Sequence, residues 1–137
     1  MTASRIAPLV SYFKPALAKR LIEDYLNRFD EVYDPFSGMS GRLLGTLAAG
    51  KKYIGADVNP VVVAESKQLM DVAAPMFKKL GKSPKWELSV ADALHTKAKA
   101  QCVLTCSPYR DLETWNRSTV VLSCDEWIDV VLKNVEA

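Results

Sequence analysis

Glu31-Val32-Tyr33-Asp34-Pro35-Phe36-Ser37-Gly38-Met39-Ser40-Gly41 is the stretch on which the reading of this chain turns. The short apolar run Val32-Tyr33 meets Asp34-Pro35, and a turn follows that is built from Ser37, Gly38, Ser40 and Gly41. Behind the turn lies a helix-forming stretch from Arg42 to Ala49. Strand, glycine-rich turn and helix in that order hold a ligand over backbone N–H groups at a helix N-terminus. Gly38 and Gly41 supply positive φ or close backbone approach, which a Cβ would obstruct. The turn lacks G-x-G-x-x-G and has no Gly-Lys-Thr, so neither a dinucleotide fingerprint nor a phosphate loop is present. Downstream, Tyr53-Ile54-Gly55-Ala56-Asp57-Val58-Asn59-Pro60 reads as a second strand ending in an acid. An acid at that place binds the two hydroxyls of a ribose.

Outward from this centre, residues 1–12 show no period and read as an irregular lead-in. Pro15 is suited to the first position of a helix. Leu17, Leu21, Ile22, Tyr25, Leu26 and Phe29 then recur at helical spacing, which predicts a helix over 15–28 with that face buried. Gly50 is expected to end the helix that begins near Gly41, with Lys51 and Lys52 beside its negative end. Asn59-Pro60 gives an N-cap and a first-position proline for a helix from Val61 to about Val72. Pro75 is expected to open a separate short helix, 75–80, stopped by Gly81. Trp86, Leu88 and Val90 alternate with Glu87 and Ser89 as a third strand, running into Ala91-Asp92-Ala93. Gln101-Cys102-Val103-Leu104-Thr105 reads as a buried fourth strand ending in Cys106-Ser107-Pro108-Tyr109. A polar loop with Trp115 follows. Ser123-Cys124-Asp125-Glu126 is a capping box for a last helix with Trp127, Val130, Val131 and Val135 on one face. His95, the single histidine, lies in a polar connector and reads as a surface residue.

With 137 residues the chain reads as one domain, 1–137. Its composition, 49% apolar and 25% charged, is that of an ordinary globular protein rather than a disordered or membrane-spanning one. A net charge of +2 neither supports nor excludes nucleic-acid binding, because phosphate neutralisation usually demands a far more basic surface. Cys102, Cys106 and Cys124 cannot all pair and match no zinc spacing, so no metal site and a reduced, cytoplasmic protein are expected. No membrane partner is implied.

Asp34-Pro35-Phe36-Ser37-Gly38, followed by Tyr53-Ile54-Gly55-Ala56-Asp57, resembles the S-adenosylmethionine (SAM) motif of the DNA amino-methyltransferases. These enzymes methylate the exocyclic amino group of adenine (N6) or cytosine (N4). Their usual motif is Asp-Pro-Phe-x-Gly-x-Gly; here Ser40 stands in the place of the second glycine, and Gly41 is expected to take over its role. The resemblance covers roughly residues 13–115. It implies a Rossmann-like α/β methyltransferase fold, with a partial parallel sheet of four strands in the order 3-2-1-4 and helices on both faces. SAM is the implied cofactor, cradled by Asp34, Phe36, Ser37, Gly38 and Gly41. Asp57 would hold its ribose and Asp92 its adenine, while Lys14, with Phe13 and Pro15, would hold its methionine end.

The resemblance places methyl transfer at Cys106, Ser107, Pro108 and Tyr109. An exocyclic amino group is a poor nucleophile because its lone pair is delocalised into the ring. In such enzymes a side-chain oxygen and the next residue's carbonyl accept its two hydrogens, freeing the lone pair for in-line attack while an aromatic stacks on the extruded base. Pro108 and Tyr109 match the second proline and the aromatic of that turn. Ser107 replaces the first proline and gives up its rigid φ. Cys106 replaces the acceptor with a thiol, which accepts hydrogen bonds weakly. The related sheet has seven strands, so the domain is expected to be incomplete at its C-terminus. A bare fourth strand would then invite self-association or a partner chain that completes the sheet. DNA is the implied macromolecular partner. Two other functions fit the same motifs: a SAM-dependent methyltransferase of RNA, protein or a small molecule, and a catalytically silent domain that binds SAM or only a protein partner.

Overall fold

The computed structural model describes residues 12–93, 95–96 and 99–106. The elements run α1 (Pro15–Tyr25), β1 (Glu31–Asp34), α2 (Gly41–Ala48), β2 (Lys52–Asp57), α3 (Pro60–Lys79), β3 (Trp86–Val90) and β4 (Cys102–Val103). All strand pairs are parallel, and the sheet order is β3-β2-β1-β4. This is the expected Rossmann-like α/β order, with the first strand central. The chain reverses direction across the sheet between β1 and β4, and ligands collect outside the strand carboxyl ends at such a point.

Parity along the strands explains where the core lies. Val32 registers with Tyr53, and Gly55, two residues on, registers with Leu88, so Tyr53 and Leu88 share one face. Leu43 and Leu47 of α2 and Val63 and Met70 of α3 close on that face, forming a core cluster with Tyr53 and Leu88. Helix α1 is layered on α2, where a Cβ at Gly45 would lie 2.4 Å from Ala18 Cβ. That close approach selects α1's buried side. Ala18 and Ile22 are inside, whereas Leu17 and Tyr25, expected inside from helical spacing, are 49% and 74% exposed.

Three further expectations are corrected. The helix after Asn59-Pro60 does not stop near Val72: α3 is a single helix of 20 residues with Pro75 inside it. Proline removes one helical N–H, but Ala73, Ala74 and Phe77 pack against the core on either side of it and hold the helix together. In β3 the inward alternation fails at its end, since Val90 is 55% exposed. Strand β4 is two residues long and only half-buried, rather than a buried strand over 101–105. Its ladder continues through one more bond, from Leu104 N–H to the Tyr33 carbonyl at 3.0 Å. Asn59 caps α3 as expected, its Oδ1 accepting from Val61 N–H at 3.0 Å. No helix among the described residues is long and apolar enough to cross a membrane. The expected C-terminal helix, the loop with Trp115 and residues 1–11 of the 1–12 lead-in lie outside the described residues.

Candidate functional site

At the carboxyl end of β1 the chain enters the turn 35–40 and leaves it directly into α2. Two residues of the turn are left-handed, Gly38 at φ 52° and Ser40 at φ 63°. Two bonds tie the turn to β2, and a third ties the end of β2 to the start of α3. Ser37 N–H donates to the Ala56 carbonyl at 2.8 Å, Gly38 N–H to Asp57 Oδ2 at 2.9 Å, and Asn59 N–H to Asp57 Oδ1 at 2.9 Å. Asp57 is partly exposed, and each of its oxygens holds one backbone donor. A carboxylate has about four acceptor positions, so both oxygens keep capacity for ligand hydroxyls. The N–H groups of Met39 and Ser40 have no acceptor among the described residues. The Ser37 hydroxyl is buried and without a partner among the described residues. Unpaired donors on a turn at a helix N-terminus are what a polar ligand would satisfy.

Ser40 and Gly41 divide the work otherwise than expected. Ser40 itself takes the left-handed conformation that a second glycine would supply, at a cost of about 1–2 kcal/mol for a side-chain-bearing residue. Its hydroxyl donates to Ser66 Oγ on α3 at 2.6 Å, with both residues buried. Gly41 is required by packing instead, because a Cβ there would sit 1.8 Å from the Phe13 carbonyl oxygen. The residues just before α1 and the start of α2 therefore touch through backbone at this point. Lys14, next to Phe13, is exposed at the N-cap of α1, and its carbonyl accepts from Leu17 and Ala18 N–H.

Asp34, expected to help cradle the cofactor, is the last residue of β1. Asp34 is fully buried and its carboxylate is taken by protein donors. Arg42 Nε donates to Oδ2 at 2.7 Å, Tyr53 Oη to Oδ2 at 2.9 Å, and Thr105 Oγ1 to Oδ1 at 2.7 Å. Phe36 N–H reaches Oδ1 at 3.3 Å, and Arg42 also donates to the Phe36 carbonyl. Arg42 lies over the Phe13 ring, 5.4 Å from its centroid, as a cation–π contact. Asp34 thus binds the turn at Phe36, the second strand at Tyr53 and the end of the fourth strand at Thr105. Burial pulls the Arg42 guanidinium down, but Asp34, through charge and hydrogen bond, with Tyr53 and Cys106, pushes it above its ordinary value. Burial, then Asp34's charge and hydrogen bond, pushes the Tyr53 hydroxyl well above its ordinary value. Burial and Asp34 push Tyr33 in the same direction.

Arg42, Tyr53, Thr105 and Ser66 were not singled out from the sequence. Arg42 carried a usable signal: an arginine at the second residue of a helix opposes the helix dipole, so a strong acidic partner is implied nearby. The other three carried none, because serine, threonine and tyrosine are ordinary in helices and strands.

Asp92 is exposed just past β3. The preceding Ala91 N–H bonds the Asp57 carbonyl at 3.0 Å, so Asp92 follows closely on Asp57 at the carboxyl ends of the strands. Its carbonyl accepts from His95 N–H and Thr96 Oγ1, and His95 is exposed as expected. Cys106 is exposed and follows Thr105 directly. The sheet order puts Cys106 at the end of the strand beside β1, on the other side from Asp57. Ser107, Pro108 and Tyr109 lie outside the described residues. No group of three or more potential metal ligands occurs among the described residues.

No protein-family model matches this sequence, and no curated protein does. Among solved structures the chain is similar to the crystal structure of the S-adenosylhomocysteine (SAH)-bound Podospora anserina methyltransferase PaMTH1. Identity is 8% and the TM-score 0.49, over 88% of this chain and 46% of that one. The chain therefore spans about half the length of that enzyme.

Proposed function

We propose that this chain is the SAM-binding part of an amino-methyltransferase acting on the exocyclic amino group of adenine or cytosine in DNA. The observation that carries the cofactor reading is the pairing of Asp57 with the left-handed turn. A partly exposed carboxylate suits a ribose diol, and the unpaired N–H groups of Met39 and Ser40 beside it suit a polar ligand. SAM, when bound, supplies an electrophilic methyl group on a sulfonium that departs as a neutral thioether. Asp57 would hold its ribose, the turn Phe36–Gly38 would line it, Asp92 would meet its adenine, and Lys14 with its neighbours its methionine end.

The DNA reading is supported by the likeness of Asp34-Pro35-Phe36-Ser37-Gly38 and of Pro108-Tyr109 to the motifs of that family. In this reading the Cys106 thiol and the Ser107 carbonyl accept hydrogen bonds from the target amino group, and Tyr109 stacks on the base. A thiol is the weaker acceptor, so slow transfer is expected. The test is calorimetry with SAH, followed by incubation with methyl-labelled SAM and mixed-sequence DNA, RNA or protein in separate reactions. Binding of SAH with label appearing as N6-methyladenine or N4-methylcytosine supports the proposal. Binding with label in RNA or protein alone moves the substrate class, and absence of SAH binding by the folded chain overturns the cofactor reading.

A further inference from the structure

We infer that Ser66 on α3 is a positioning residue whose hydroxyl holds Ser40 in the left-handed conformation that shapes the ligand-facing turn. Ser40 is the one residue with a side chain at positive φ among those described, and it occupies the bend from which α2 starts. A side chain disfavours that conformation, so the turn keeps it only where something outside the local backbone holds it. The holding group comes from 26 residues downstream: Ser40 Oγ donates to Ser66 Oγ at 2.6 Å. Both residues are screened from water, at 3% and 4% exposure, so neither hydroxyl has solvent as an alternative partner. Ser66 lies on the buried side of α3 with Val63 and Met70, and their packing in the core fixes its place.

Two consequences tie this bond to the site. The Ser40 carbonyl accepts from Leu44 N–H at 3.0 Å, so a shift of Ser40 loosens the first turn of α2. The same shift re-aims the N–H groups of Met39 and Ser40, which have no acceptor among the described residues; Met39 is exposed. Ser66 thus acts on the ligand through Ser40. The inference rests on the proposed cofactor only in naming SAH as the probe.

A double-mutant cycle over Ser40 and Ser66 tests it, with melting temperature and SAH affinity as readouts. In the otherwise unchanged chain, S66A should lower the melting temperature and weaken SAH binding about tenfold. In the S40G background, where the strain and the hydroxyl are both gone, S66A should change SAH affinity less than about twofold and leave melting unchanged or slightly raised. S66T, which keeps the hydroxyl, should recover much of the affinity lost in S66A. Should S66A fail to fold, folding of the S40G/S66A double variant with S40G-like stability carries the same conclusion. Equal losses from S66A in both backgrounds, or no effect in either, overturns the inference. Failure of the unchanged, folded chain to bind SAH refutes the cofactor reading instead, and the melting cycle still decides the tether.

Discussion

Asp57 combines two tasks at a single carboxylate, fixing the turn through Gly38 and the start of α3 through Asn59 while offering its remaining acceptor positions outward. Asp57→Ala should weaken SAM or SAH binding by about 1–3 kcal/mol, the value of a charge-assisted bond with its desolvation. Calorimetry on the folded variant checks this, and unchanged affinity would detach Asp57 from the cofactor. Asp34 is a different kind of acid. Asp34→Ala leaves the Arg42 charge buried without its partner, which should cost about 3–5 kcal/mol in urea unfolding. Tyr53, on the same network, makes stability depend on alkaline pH. Its hydroxyl is held well above the ordinary value by burial and by Asp34, so the folded state keeps a proton that the unfolded chain releases above about pH 10. Stability is therefore complete below that pH and falls as pH rises through and beyond it. Tyr53→Phe should lose about 1 kcal/mol at neutral pH, through the bond to Asp34, and flatten the alkaline fall. Urea midpoints of both proteins across pH 8 to about 11 are the measurement.

At the scale of elements, α3 is the informative case. Proline in a helix interior costs about 3 kcal/mol relative to alanine, yet Pro75 sits four residues before the last residue of α3. Apolar packing of Ala73, Ala74 and Phe77 outweighs that local preference. Pro75 is exposed and is not one of the residues of the core cluster. Pro75→Ala should therefore stabilise the protein by about 1–3 kcal/mol, seen as a raised urea midpoint with an unchanged slope. No change in midpoint would mean that the helix is already relaxed around the proline. The same competition between local signal and packing explains α1. Leu17 and Tyr25 lie at helical spacing, but Gly45 admits only small Ala18 at the closest point, and the helix turns that side inward.

For the whole molecule, β4 is the outermost strand of the described sheet beside β1, short and half-buried. A parallel-type strand at the edge of a sheet offers unpaired backbone groups to a further strand or a second chain, and among the described residues β4 pairs only with β1. Sedimentation over a range of concentrations should show self-association of this chain, and a monomer at every concentration would count against a pairing edge. The strands, the glycine turn, the acid ending β2 and the Asn59 cap were readable from local rules: short apolar runs or alternation, turn chemistry, and a side chain bonding its own next backbone groups. The parallel order was instead an implication of the family resemblance. What only the tertiary structure decided is where long-range partners replace local preference. Asp34 reads as a ligand-facing acid until Arg42, Tyr53 and Thr105 surround it. Ser40 reads as a defect in the motif until Ser66, a helix and a strand further along the chain, meets its hydroxyl. Pro75 reads as a helix start until the core packs on both sides of it. In all three the local sequence states a cost or a capacity. Contacts with residues distant in sequence, which only the folded chain brings together, determine how it is met.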